Sequence, residues 1–151
     1  LGAQVVLVGR NRDKLQAVQA EIIQDGGQAS FIVCDIRQED SVKQTVATVV
    51  AQQGRLDGLV NNAGGQFMTP LEAISAKGWE AVVNTNLTGG FLMARECYTQ
   101  SMAKHGGAIV NMSSVNGRLA IPSIASYNAN AVINSDCLIT VINVDLTTNR
   151  S

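Results

Sequence analysis

The residues of this chain best suited to chemistry stand directly behind apolar runs. Asn61-Asn62-Ala63-Gly64 closes Leu56-Asp57-Gly58-Leu59-Val60, Ser113-Ser114 follows Ile109-Val110-Asn111-Met112, and Tyr127 lies thirteen residues beyond Ser114. Arg10 follows Gln4-Val5-Val6-Leu7-Val8-Gly9, and Asp35 follows Ser30-Phe31-Ile32-Val33-Cys34. Amide side chains donate and accept hydrogen bonds at once, hydroxyls do the same, and glycine lets a ligand come close to the backbone. Polar groups placed where strands end are where open α/β sheets bind ligands. The expectation is a small-molecule site assembled from several strand ends.

For that to hold, the apolar runs must alternate with helices. Asn11 is a cap for a helix in which Leu15, Val18 and Ile22 share a face and which Gly26-Gly27 stops. Asp40 and Ser41 are capping candidates for a helix that buries Val42, Val46, Val49 and Val50, and Gly54 ends it. A looser stretch from Gly65 to Ser75 contains Pro70. A long helix is expected from about Lys77 to Lys104, with a break near Thr88-Gly89-Gly90. After a loop holding Gly117 and Pro122, the segment from Ser126 to about Asn143 reads as a further helix. This alternation argues for βαβ units and a parallel sheet. Residues 1–151 are expected to form one domain, without internal repeats or linkers.

Composition narrows the classes. A 151-residue chain with 46% hydrophobic residues can bury a useful core, and a net charge of −1 argues against a broad nucleic-acid surface. Aromatic residues are 4%, leaving Val, Ile, Leu and Ala to do the packing, as a sheet covered on both faces requires. Cys34, Cys97 and Cys137 are odd in number and in no metal-ligand spacing, so they read as reduced core residues, with no metal site. His105 sits beside Gly106-Gly107 at a helix end, where a favourable dipole contact explains it better than catalysis. No run has the length of a membrane span and no signal-peptide pattern is present. The expectation is a cytoplasmic protein that binds no nucleic acid and no membrane.

These runs, in this order, resemble the short-chain dehydrogenase/reductase family over roughly the first 130 residues. The resemblance implies a Rossmann-like, doubly wound α/β fold in which the first run here is the family's second strand. The family's first strand and its Gly-rich turn would then lie before Leu1, and its last strands beyond Ser151, so the sheet is incomplete. The strands at Val5 and Leu59 would lack the partner that lies between them, or would pair with each other. A start at Leu1, without methionine and close to a strand, adds to the expectation of a fragment.

The resemblance also implies roles. Arg10, with no acidic residue before Asp13, faces the 2′-phosphate of NADP, with NAD the second choice; a solvated turn arginine is the plain alternative. Asp35 resembles the aspartate that seats the adenine ring, and a structural strand-end aspartate fits it almost as well. Asn61, Ala63 and Gly64 match the run lining the cofactor. Asn86, in Asn84-Thr85-Asn86-Leu87-Thr88-Gly89, matches the asparagine that holds a proton-relay water. Ser114 matches the serine that hydrogen-bonds the substrate carbonyl, with Ser113 as its neighbour. Tyr127 matches the tyrosine that moves the proton, and the thirteen-residue separation from Ser114 is typical of the family.

Two family features are absent: the Gly-rich turn, and the lysine of Tyr-x-x-x-Lys, which reads Tyr127-Asn128-Ala129-Asn130-Ala131 here. A tyrosine without a neighbouring cation is a competent acid and a poor base near neutrality. Gly64-Gly65-Gln66-Phe67, Ser75-Ala76-Lys77-Gly78-Trp79 and Thr85-Asn86-Leu87-Thr88-Gly89 look like the enoyl- and dienoyl-CoA reductase branch, which would make an acyl-CoA the small-molecule substrate. The tail departs from the family after about residue 131, and a joint, truncation or frameshift between about Asn130 and Asp136 is expected. The function implied is an NADPH-dependent reductase acting on an enoyl-thioester or carbonyl compound, and a homo-oligomer when the chain is complete. The alternative is an inactive fragment or pseudoenzyme that keeps only the oligomerising helices.

Overall fold

A computed structural model describes residues 2–117, 122–133 and 139–144. In order the elements are β1 (Gln4–Gly9), α1 (Arg12–Gln24), β2 (Gln28–Val33), α2 (Glu39–Gln53), β3 (Gly58–Asn61), α3 (Ala76–Val83), α4 (Gly89–Cys97), α5 (Ala103–His105), β4 (Gly107–Met112), α6 (Ala125–Ile133) and β5 (Ile139–Val144). β1 and β2 run parallel, from Gln4 opposite Gln28 to Gly9 opposite Val33. β3 and β4 run parallel, from Gly58 opposite Ala108 to Asn61 opposite Asn111, and β5 adds antiparallel on the far side of β4. The fold is Rossmann-like α/β, with β strands and helices alternating through β4.

Several local expectations hold. Asn11 caps α1, its Oδ1 accepting the Lys14 N–H at 2.9 Å, and Gly26 behind the helix takes the left-handed φ of 81°. Gly54 ends α2 with a φ of 81°, a conformation that favours glycine. Others do not. The N-cap of α2 is Gln38, without a side-chain cap bond, and Asp40 and Ser41 lie inside the helix; Glu39 and Asp40 in its first turn complement the helix dipole instead. The long helix begins at Ala76 and continues to His105 through two π turns, Asn84–Thr88 and Tyr98–Met102, rather than breaking at Thr88-Gly89-Gly90.

The expected helix from Ser126 to about Asn143 is also corrected. Helix α6 ends at Ile133, and Ile139–Val144 is the antiparallel strand β5. The β-branched run Ile139-Thr140-Val141-Ile142 suits a pleated surface better than a helix. β1 and β3 do not pair with each other: they belong to separate sheets, each with one edge unpaired among the described residues.

The core lies between α2, α4 and the strands. Cys34, Val42, Val46, Leu92, Met93, Cys97, Met102 and Ile109 form it, with Val8, Leu56 and Leu59 packed alongside. Cys34 and Cys97 are free and buried, and burial pushes the Cys97 thiol up to about 12. Cys137 lies outside the described residues. On the outer side of the core, Arg95 of α4 meets Glu39 of α2 at 2.5 Å and Glu96 at 2.9 Å. The buried Ser101 hydroxyl accepts the Leu56 N–H at 2.8 Å and so sets where the chain enters β3. Among the described residues no helix is long and apolar enough to cross a membrane.

Close approach makes Gly89 necessary. A Cβ there would stand 2.7 Å from both Cδ1 and Cγ1 of Ile36, which docks against the start of α4. Gly89→Ala should therefore destabilise the fold by about 1–3 kcal/mol. Urea unfolding checks this, and Ile36→Val in the same chain should recover part of the loss.

Candidate functional site

The ends of β3 and β4 and the start of α4 are joined by one side chain. Asn61 Nδ2 donates to Asn111 Oδ1 at 2.9 Å and to the Gly90 carbonyl at 3.0 Å. Asn61 and Asn111 are register partners, so the bond runs straight across the strand pair. Beyond Asn61 the chain leaves the sheet through Asn62-Ala63-Gly64-Gly65. Asn86, in the first π turn, holds that loop at both polar atoms of one residue: Oδ1 accepts the Gly65 N–H and Nδ2 donates to the Gly65 carbonyl, each at 2.9 Å.

A cavity of about 560 Å³ opens at these strand ends. Asn61, Ala63, Gly64, Asn86, Ser114 and Tyr127 all line it. Ser113 lines it as well, beside Ser114. Ser114 stands at the mouth of a short 3-10 turn and its hydroxyl accepts the Asn116 N–H at 3.3 Å, while half-buried Tyr127 projects from the first turns of α6. Tyr127 and Ala131 are both in α6, and the Ala131 side chain lies outside what is described. The Asn86 amide is committed once at each end. What remains on its side chain for a water is one lone pair and one N–H.

A second cavity, of about 170 Å³, lies at the ends of β1 and β2. Arg10 and Asp35 line it, and Ile36, Ala63 and Gly64 belong to the walls of both cavities. Asp35 is not a bare strand-end carboxylate. Arg37 grips it through Nε to Oδ1 at 2.8 Å, Nε to Oδ2 at 3.1 Å and Nη2 to Oδ2 at 2.5 Å, and the Arg37 N–H adds a bond to Oδ1 at 3.1 Å. These bonds, with the charges of Arg37 and Arg10 behind them, hold the Asp35 carboxyl down from the usual 3.8 to about 2 against the opposing effect of burial.

All eight residues singled out in the sequence thus fall on two cavities that share a wall. The structure adds Arg37, Ile36, Gly65, Gly90 and Asn111. Of these, Arg37 was visible as a charge two residues from Asp35, but nothing in the sequence indicated that the two would pair. The same segment could equally have turned Arg37 to solvent. No group of His, Cys, Asp and Glu that could hold a metal ion occurs among the described residues.

An alternating α/β chain with its polar residues gathered at parallel strand ends belongs to the class of open-sheet α/β proteins, which bind ligands at those ends. Residues 1–132 match the family described as short chain dehydrogenase, and the chain belongs to that family. It is 38% identical over 128 residues to a gluconate 5-dehydrogenase of Gluconobacter oxydans, covering 85% of this chain and 50% of the relative. Among solved structures, a citronellol catabolism dehydrogenase of Pseudomonas aeruginosa PAO1 is 47% identical with a TM-score of 0.81, covering 88% of this chain and 55% of that one. A gluconate 5-dehydrogenase of Burkholderia cenocepacia J2315, solved in complex with NADP and tartrate, is 34% identical with a TM-score of 0.78, covering 87% and 52%. The chain spans about half the length of the relatives it matches.

The Asp35–Arg37 pair sets an acid limit. A carboxyl with a folded value near 2 contributes stability that is present above its unfolded value near 3.8 and is lost as pH falls through about 2. Asp35→Asn should therefore be less stable than the parent above about pH 4, with the gap closing toward about pH 2. Urea midpoints measured across that range check it; a gap that stays constant would mean that ionisation of Asp35 contributes nothing.

Proposed function

We propose that this chain carries the adenine and proton-transfer ends of an NADP(H)-dependent reductase, with a carbonyl compound or an enoyl-thioester as substrate. The observation behind this is the shared wall: Ile36, Ala63 and Gly64 join the cavity that holds Ser114 and Tyr127 to the one that holds Arg10 and Asp35. A dinucleotide needs such a divided cleft, with a base at one end and a reacting ring at the other. The residues fit the group at both ends. Gly64 offers backbone with no side chain in the way, Asp35 offers an ionised acceptor for a purine amine, and Arg10 offers a cation. No Gly-rich turn opening a helix occurs among the described residues, so backbone donors for a pyrophosphate are not in view.

Ala63 and Gly64 would line the nicotinamide, which would supply a hydride when bound. Ser114, by its hydroxyl, donates a hydrogen bond to the substrate oxygen, and Tyr127 donates the proton that completes reduction. Asn61 and Asn86 tie down the Asn62–Gly65 loop at its two ends, through their bonds to Gly90, Asn111 and Gly65. With Ala131 where the family has its lysine, Tyr127 serves reduction better than oxidation, because a proton donor needs no neighbouring cation to do its work.

The relatives named above are dehydrogenases. The enoyl-thioester substrate is supported by the runs at residues 64–67, 75–79 and 85–89 alone. A single domain, a homo-oligomer and a cytoplasmic setting belong to the same reading. The alternative, an inactive fragment or pseudoenzyme that keeps only the oligomerising helices, draws its support from Ala131.

Fluorescence titration with NADPH, and NADH as the control, tests the proposal. The expected result is weak but NADPH-selective binding, with Kd above the micromolar range. With NADPH saturating, Tyr127→Phe should lower the reduction of an enoyl-CoA or a simple ketone by roughly 10²–10⁴-fold, the contribution of a positioned acid. Preference for NADH, or no binding at millimolar cofactor, would contradict the cofactor reading. Binding without turnover of either substrate would favour the pseudoenzyme.

A further inference from the structure

The smaller cavity holds an unusual balance of charge. Arg10 and Arg37 bring two guanidinium groups to it and Asp35 one carboxylate, leaving one positive charge in excess. No other described residue that lines it is charged. Arg37 does not share its charge evenly over this space. Its four bonds all go to Asp35, on both carboxylate oxygens, with the two side chains 33% and 27% exposed. The pair is therefore a neutral unit, half shielded from water, standing beside Arg10.

Taking Arg37 away from this arrangement changes what the cavity accepts. Asp35 alone would offset Arg10 and would repel any phosphate that approached the guanidinium. An uncompensated carboxylate lining the same partly shielded cavity as a single cation opposes the attraction of that cation for a phosphate. Phosphate recognition at Arg10 thus depends on a residue that does not have to touch the phosphate.

We propose that Arg37 is a specificity-determining residue: by neutralising Asp35 it leaves the Arg10 charge free for a 2′-phosphate, so that the cavity prefers adenine nucleotides carrying that phosphate over those with a 2′-hydroxyl. The inference rests on the NADP reading above and adds to it the residue that permits the preference. The four bonds from Arg37 use the roughly four acceptor sites of the Asp35 carboxylate, so a purine amine that binds there has to share one of them.

The test is the ratio of affinities for adenosine 2′,5′-bisphosphate and adenosine 5′-monophosphate, followed by NMR titration of the 151-residue chain at low salt. Both probes carry the same base, so changes in purine binding cancel in the ratio. Arg37→Gln should lower the ratio roughly three- to tenfold, with the effect shrinking as salt is raised. Arg37→Lys, which keeps the charge and loses the fork, should retain most of it. Asp35→Asn should raise the ratio, and Asp35→Asn combined with Arg37→Gln should return it to near the parent value.

A ratio unchanged in Arg37→Gln, in a parent chain that does prefer the bisphosphate, would overturn the role of Arg37 and leave the NADP reading standing. A parent with no preference, or with no binding of either nucleotide, would overturn both. Should Arg37→Gln fail to fold, Asp35→Asn still decides: a ratio that stays level or falls contradicts the charge balance proposed.

Discussion

The bonds made by the Asn61 side chain are what the site depends on. A single amide nitrogen spans from β3 to Asn111 on β4 and to the Gly90 carbonyl at the start of α4. β3 is only four residues long, at the short end for a strand. The Asn61 contact adds a tie to the neighbouring strand and another to the helix beneath, at the point where the chain leaves the sheet. A Cβ at Gly90 would stand 3.7 Å from the Asn61 amide nitrogen, an ordinary contact, so the bond itself does not require glycine there. The loop that follows is then caught again by Asn86. Two asparagines thus hold a stretch of exposed backbone that has no secondary structure of its own.

Around this frame the helical run from Ala76 to His105 does more than cover the sheet. Its first π turn presents Asn86 to Gly65, and its second presents Ser101 to Leu56. Each π turn adds a residue to the helical ladder and re-aims the side chains on that face. Both polar contacts grip the chain on either side of β3, one at its entry and one beyond its exit. Position in the core and position at the site are therefore set by the same helix.

Much of this was legible from residue types. The apolar runs gave β1 through β4, Asn11 and Gly54 marked helix boundaries, and the polar strand ends marked the cavities. What stayed hidden has physical causes. π turns leave no signature in hydrophobic spacing, so the residues Thr88-Gly89-Gly90 read as a break in the helix, whereas Gly89 is there to admit Ile36. The run at Ile139–Val144 is mostly apolar and follows a helix, and periodicity alone does not separate a short apolar strand from a helical continuation. Gln38 caps α2 through its backbone geometry, which its side chain does not announce. The pairing of Arg37 with Asp35 depends on a turn whose shape only the folded chain decides.

The central claim is that the two cavities act as one cleft for one dinucleotide. Chemical-shift mapping of the isotopically labelled 151-residue chain during NADPH titration tests it most directly. The account predicts that Arg10 and Asp35 at one end, Ala63 and Gly64 between, and Ser114 and Tyr127 at the other all shift along a single saturation curve. Shifts confined to one cavity, or two sets of residues following different affinities, would contradict it.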